Sequence, residues 1–385
     1  MKQIKWIPVI AFALLMAGLG SSDSLRGIFA PVFQERYRLD ESSLSLFITV
    51  SYVGNLLFLS IGGRLLDLFP RKRVAMAVTG IWAGAVLVNL FTDSYGCLLV
   101  SMFFALGAST LLNTTVNIMT PAVCLGYSGL MVNLFFFIQG AGTSGSQFLL
   151  GRYAFSYNGW KMINAVLLAA AAAVILLLAV SRLSESGNHR EEGADGEPKK
   201  EPEKKVFWMF AVMMGCYFIG EHGIMNWFMS YCLSALSMEA AQASASLSLF
   251  WGGMTAGRLI FAPAVQKLGA KRSLKLFGGL GTGMFAAGCL LGNAGVMVLG
   301  ASGFVIAILY PTMVLLIQQI YPSHLAATRT GAIISLATIA DIGFNLCFGL
   351  AADAWGYRAS FMILPAAMIA FYLIYLKLTG ILRAA

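Results

Sequence analysis

The chain has 385 residues, of which 58% are hydrophobic and only 11% charged, with a mean hydropathy of +0.78 and a formal net charge of +9. No water-soluble domain of this length carries that balance, so the sequence is that of an integral membrane protein. The excess of Lys and Arg fits anionic lipid headgroups, and a nucleic-acid partner need not be invoked.

A membrane-spanning helix needs roughly 20 mostly apolar residues. That rule predicts twelve spans, near residues 6–30, 44–66, 74–91, 97–120, 127–150, 160–180, 206–235, 241–263, 274–293, 296–320, 330–351 and 358–376. The first is too long and too charged near its end for a cleaved signal peptide, and is expected to be retained. Basic residues are distributed unevenly between the loops. With both termini cytoplasmic, the inner side holds Arg71-Lys72-Arg73, Lys199-Lys200, Lys204-Lys205 and Lys271-Arg272, whereas the outer side holds only Arg36, Arg38, Arg152, Lys161 and Arg358. This is the positive-inside pattern of a multi-pass protein of the plasma or inner membrane.

One segment, 181–205, is strongly polar, contains two prolines and lacks apolar residues to bury. It reads as a cytoplasmic linker between an N-terminal half, 1–180, and a C-terminal half, 206–385. A repeat agrees with that division. Gly63-Arg-Leu-Leu-Asp67-Leu-Phe-Pro-Arg71-Lys72-Arg73 follows the second span, and a degenerate copy ending in Lys271-Arg272 follows the eighth.

Gly63, Asp67, Arg71 and Lys72 resemble the loop signature of the major facilitator superfamily, with Leu68 and Pro70 as departures. The resemblance implies an all-α membrane protein of twelve transmembrane helices in two pseudo-symmetric six-helix halves, working by alternating access. It also makes those four residues a conformational latch. Further stretches resemble the fucose/galactose/glucose–proton symporter group: Glu221 to Tyr231 with Trp227, Phe250-Trp-Gly-Gly253 with Gly257-Arg258, Tyr310-Pro311-Thr312, Asn117, Asn133 and Pro31-Val-Phe-Gln34. The group's acidic positions in its first and fourth helices fall on Gly27 and Asn113. Asparagine does not titrate, so proton coupling in the first half rests on Asp23 alone.

A charge at membrane depth is a functional-site hypothesis by default. Asp23 and Arg26 are three residues apart and share a helical face; they are either a proton carrier with its modulating cation or a structural pair. Glu221, with His222 beside it, is a second proton candidate or a prop for a glycine-broken helix. Arg258 and Asp341 lie on helices expected to be neighbours. They either neutralise each other or act separately, Arg258 as an anion hook and Asp341 as a further proton site or a sugar-hydroxyl acceptor. Asn113 and Asn117, four apart, offer donors and acceptors to a polyhydroxylated solute. Asn133 and Asn226 extend that set, while Trp227, Tyr231 and Tyr310 either stack on a sugar ring or pack the helices.

The six cysteines have no ligand spacing, and no phosphate-cradling loop or nucleophile–base set is visible. The sequence therefore points to a secondary transporter, not an enzyme, without cofactor or metal, and the family resemblance implies a monomer. Its expected cargo is a sugar or polyol moved with protons. A small organic anion held by Arg26 and Arg258, or drug efflux by proton antiport, are the alternatives.

Overall fold

The computed structural model describes residues 4–124, 128–181 and 202–384. Most of the expected linker, 182–201, lies outside the described residues.

Among the described residues the elements are helices: α1 (Trp6–Ile28), α2 (Ala30–Tyr37), α3 (Glu41–Leu68), α4 (Arg71–Phe91), α5 (Tyr95–Val123), α6 (Ser128–Tyr153), α7 (Tyr157–Val180), α8 (Lys204–Leu236), α9 (Ala240–Leu268), α10 (Ala270–Leu290), α11 (Val296–Ile306), α12 (Leu309–Ile320), α13 (Ser323–Phe361) and α14 (Ile363–Ala384). The helix is interrupted beside a proline at the end of the first expected span and inside the tenth. Pro31 has no N–H for the carbonyl of Gly27, and α1 gives way to α2 at Phe29. Pro311 likewise leaves the carbonyl of Ala307 without its helical donor, and α11 separates from α12 over Ala307–Ile308. With α1–α2 and α11–α12 each counted as one, the helices make twelve spans.

Eight of these helices are both long and apolar enough to cross a membrane by composition. The remaining four, α6, α8, α9 and α10, have the length but carry polar residues. Glu221, His222 and Asn226 lie on α8, Arg258 on α9, and Lys271, Arg272 and Lys275 on α10.

The chain divides into two compact units, one holding α1 to α7 and the other α8 to α14. Within the first, α1 packs on α6, α3 on α5 and α4 on α7; within the second, α8 packs on α13, α9 on α11 and α10 on α14. In span numbers these are 1 with 5, 2 with 4 and 3 with 6, repeated as 7 with 11, 8 with 10 and 9 with 12. Two close crossings repeat too. A Cβ on Gly54 would strike the carbonyl of Phe103 between spans 2 and 4, and one on Gly303 would strike that of Phe250 between spans 8 and 10. In membranes, small residues at such crossings permit backbone approach that lipid exclusion alone does not drive.

Candidate functional site

In the first unit, α1 is pinned on two sides. Toward α6, Ser24 Oγ lies 2.8 Å from Ser146 Oγ, and Thr143 Oγ1 donates to the Gly20 carbonyl at 3.0 Å. Toward α4, Trp82 Nε1 donates to Ser22 Oγ at 3.2 Å. Successive residues turn about 100° round a helix of 3.6 residues per turn, so these contacts fix the direction of Asp23. Its carboxylate accepts from Ser109 Oγ on α5 at 2.8 Å. Arg26, one turn on, is 6% exposed; its guanidinium donates to Tyr52 Oη at 3.1 Å and sits 4.6 Å from that ring's centre.

Ser109, Asn113 and Asn117 follow at four-residue steps on α5, one face of the helix. The side-chain carbonyl oxygens of Asn113 and Asn117 are fully covered and receive no hydrogen bond from the described residues. Buried polar atoms are normally paired, and each orphaned one costs about 1–3 kcal/mol. Asn133 is exposed near the start of α6.

The second unit corrects one sequence-based pairing. Arg258 does not meet Asp341. Asp341 lies on α13, which packs principally on α8, whereas α9 packs principally on α11. Asp341, fully buried, therefore lies 2.6 Å from His222 Nδ1 of α8. Arg258 reaches Glu221 of α8 at 3.8 Å. Its Nε also donates at 3.3 Å to the Ala307 carbonyl, the group that Pro311 deprives of a helical partner. The Tyr310-Pro311-Thr312 motif thus acts here through a backbone acceptor.

Asn345, one turn beyond Asp341, joins the α8–α13 interface. Its Oδ1 accepts from Asn226 Nδ2 and Trp227 Nε1, each at 3.0 Å, while its own Nδ2 donates to the Asp341 carboxylate at 3.1 Å. Trp227 stacks on Phe348 at 4.4 Å and Tyr231 on Phe361 at 3.9 Å. Both rings are buried and make their face contacts within the protein. Tyr310 is half-buried and tilts against Phe218. Among the described residues no group of His, Cys, Asp and Glu has the arrangement of a metal site.

A family model described as Major Facilitator Superfamily matches residues 10–344. The chain belongs to the major facilitator superfamily. Among its relatives is a protein TsgA homolog of Serratia proteamaculans (strain 568), 23% identical over 291 residues, covering 73% of this chain and 70% of that one. Among solved structures, a D-xylose-proton symporter superposes with a TM-score of 0.74 at 13% identity, over 97% of both chains. A variant of the E. coli fucose:proton symporter FucP does so with 0.63 at 15% identity, over 97% of this chain and 98% of that one. These likenesses establish the twelve-helix major facilitator fold, and membership establishes a multi-pass membrane transporter of a small solute, not an enzyme.

The superfamily's loop signature is only partly accounted for. Lys72 Nζ donates to the carbonyls of Ala179, at 3.1 Å, and Ser181, at 2.8 Å, so it satisfies the orphan acceptors at the end of α7. Arg71 is half-buried at the start of α4. Gly63 is exposed with no close neighbour that would require glycine, and the side chain of Asp67 lies outside the described residues. In the degenerate copy, Gly269 takes a positive φ of 76° between α9 and α10, a conformation open to glycine at little cost.

Sequence reasoning missed Ser109, Tyr52 and the partnership of His222. Ser109 had a signal, the four-residue step that extends the Asn113–Asn117 stripe. Tyr52 had none, because a cross-helix partner leaves no trace in spacing.

Proposed function

We propose that this transporter carries a small polyhydroxylated solute, such as a sugar or polyol, by proton symport. Asp23 holds the proton and the α5 stripe receives the solute. One observation carries the reading: Ser109, Asn113 and Asn117 form a single line in which the first bonds the only acid of α1 and the other two present buried, donor-less oxygens. A solute hydroxyl donating to those oxygens relieves their desolvation cost, so polyol binding gains what the unliganded stripe lacks. Protonation of Asp23 removes the charge that Ser109 and Arg26 attend, which links the proton to the same helix pair as the solute. Alternating access by the two halves then carries both across.

In this reading the acids of the second unit are structural. Glu221 is matched by Arg258 and Asp341 by His222, so neither is an isolated buried charge, and removing one partner of such a pair is costly. Asn226, Trp227 and Tyr231 brace α8 against α13, and Tyr310 and Arg258 shape the break at Ala307. The organic-anion alternative gains no support from this arrangement, since Arg26 is engaged with Tyr52 and Arg258 with Glu221. Gly63, Asp67, Arg71 and Lys72 are assigned to latching between states, in a monomer of the plasma or inner membrane with cytoplasmic termini.

The test is the melting temperature of the detergent-purified protein against sugars and polyols, small carboxylates and lipophilic cations. A ligand of the folded state raises stability by about 2.7 kcal/mol at a hundredfold excess over Kd. A saturable shift with one sugar or polyol is expected. Shifts confined to carboxylates or to cations would overturn the reading.

A further inference from the structure

A second feature is unrelated to the α5 stripe. Along α10, Arg272, Leu276, Gly279, Gly283 and Ala287 recur at three- and four-residue steps and form the floor of a groove of about 810 Å³. Val298 of α11 and Tyr372 of α14 form its walls. Tyr372 is held there by its hydroxyl, which donates to the Lys275 carbonyl at 3.1 Å. Gly283 leaves the floor open, for a Cβ there would meet nothing within 4 Å. Leu276 and Leu280 are more than half exposed.

The two ends of the groove differ. One is apolar throughout; the other carries Arg272 and Lys275, both exposed and neither in an ion pair among the described residues. The apolar floor from Leu276 to Ala287 is about 16 Å long at 1.5 Å per residue. That is close to one leaflet of a hydrocarbon core about 30 Å thick. A cationic mouth over an apolar trough one leaflet deep complements a molecule with an anionic head and a long chain. Basic pockets between transmembrane helices have the chemistry that anionic headgroups seek.

We propose that this groove is a binding site for an anionic phospholipid, whose phosphate lies between Arg272 and Lys275 and whose acyl chain lies along Gly279 and Gly283. Arg272 supplies a planar fork for phosphate oxygens and Lys275 a point charge. The site lies on α10, α11 and α14 of one half, so it is independent of the cargo and of Asp23.

Native mass spectrometry of the full chain in mild detergent, incubated with equal phosphatidylglycerol and phosphatidylethanolamine, tests the proposal. The wild type should retain phosphatidylglycerol preferentially, by about thirtyfold for two cationic contacts. Arg272→Gln with Lys275→Gln should erase the preference. Gly283→Leu should remove the retained lipid of either kind, and Leu276→Glu, at an exposed floor position, makes the same test should Gly283→Leu lower the melting temperature. Lys204→Gln with Lys205→Gln, exposed at the start of α8, should leave retention unchanged. The proposal is overturned by equal retention of the two lipids, or by an equal loss in the α8 control. Displacement of the lipid by millimolar inorganic phosphate would also overturn it, by showing a site for phosphate alone.

Discussion

In the second half, His222, Asp341, Asn345, Asn226 and Trp227 close on one another across α8 and α13. In the first half, Asp23 has Ser109, but the oxygens of Asn113 and Asn117, one and two turns along α5 from Ser109, have no donor among the described residues. The halves repeat one packing order, but the two sets sit at different places in it, spans 7 and 11 in the second half and spans 1 and 4 in the first. Shared topology therefore does not fix where a half places its polar groups. The α8–α13 set is closed among its own members, although Tyr217 and Ser230 of α8 also hold buried oxygens without a partner among the described residues; under the proposed function the α5 stripe is the part left able to bind. The difference lies in side chains one turn apart, Asn345 after Asp341 and Asn113 after Ser109.

The largest effect expected from this contrast is in the closed network. Asn345→Leu removes the acceptor of two buried donors at once and should cost about 3 kcal/mol, seen as a clear fall in melting temperature in detergent. The open stripe should behave oppositely. Asn113→Leu with Asn117→Leu removes two orphaned oxygens, so the melting temperature should hold or rise while the sugar-induced shift, about 2.7 kcal/mol at a hundredfold excess over Kd, disappears. A comparable fall in stability from both substitutions would erase the distinction between the halves.

The smallest effect concerns neither set. Asp93, between α4 and α5, lies 2.7 Å from Lys161 and accepts from Tyr157 Oη at 2.7 Å. The hydrogen bond from Lys161, then that from Tyr157, holds its carboxyl below the ordinary range. A carboxyl with a lowered folded-state pKa stabilises above its unfolded pKa, and that contribution is lost as pH falls through the folded value. Asp93→Asn should therefore lower the melting temperature slightly near neutrality, by a difference that shrinks as pH falls below the usual Asp value of about 3.9. A difference that persists in acid would mean that the amide disturbs packing instead.

The spans were legible from runs of apolar residues, and the Asn113–Asn117 face from spacing within one helix. The break in the tenth span was legible in part: Pro311 stands in the sequence, but 296–320 reads as continuous on hydropathy alone. The partner of Arg258 was not legible. It depends on which helix packs on which, and the expected neighbour, Asp341, is on α13, facing α8. His222 gave no sign of its role for the same reason, since its partner lies 119 residues away. Trp227 and Tyr231 matched a sugar-transporter pattern, but their stacking on Phe348 and Phe361 could be read only from coordinates.

The central claim is that Asp23, not an acid of the second half, couples the proton to the solute. Reconstituted protein should be assayed for accumulation of the shifting sugar under an inward proton gradient and for counterflow exchange without one. The account predicts that Asp23→Asn loses accumulation and keeps counterflow, while Glu221→Gln and Asp341→Asn still accumulate. Accumulation that survives in Asp23→Asn, or that is lost with counterflow intact in Glu221→Gln or Asp341→Asn, would contradict it.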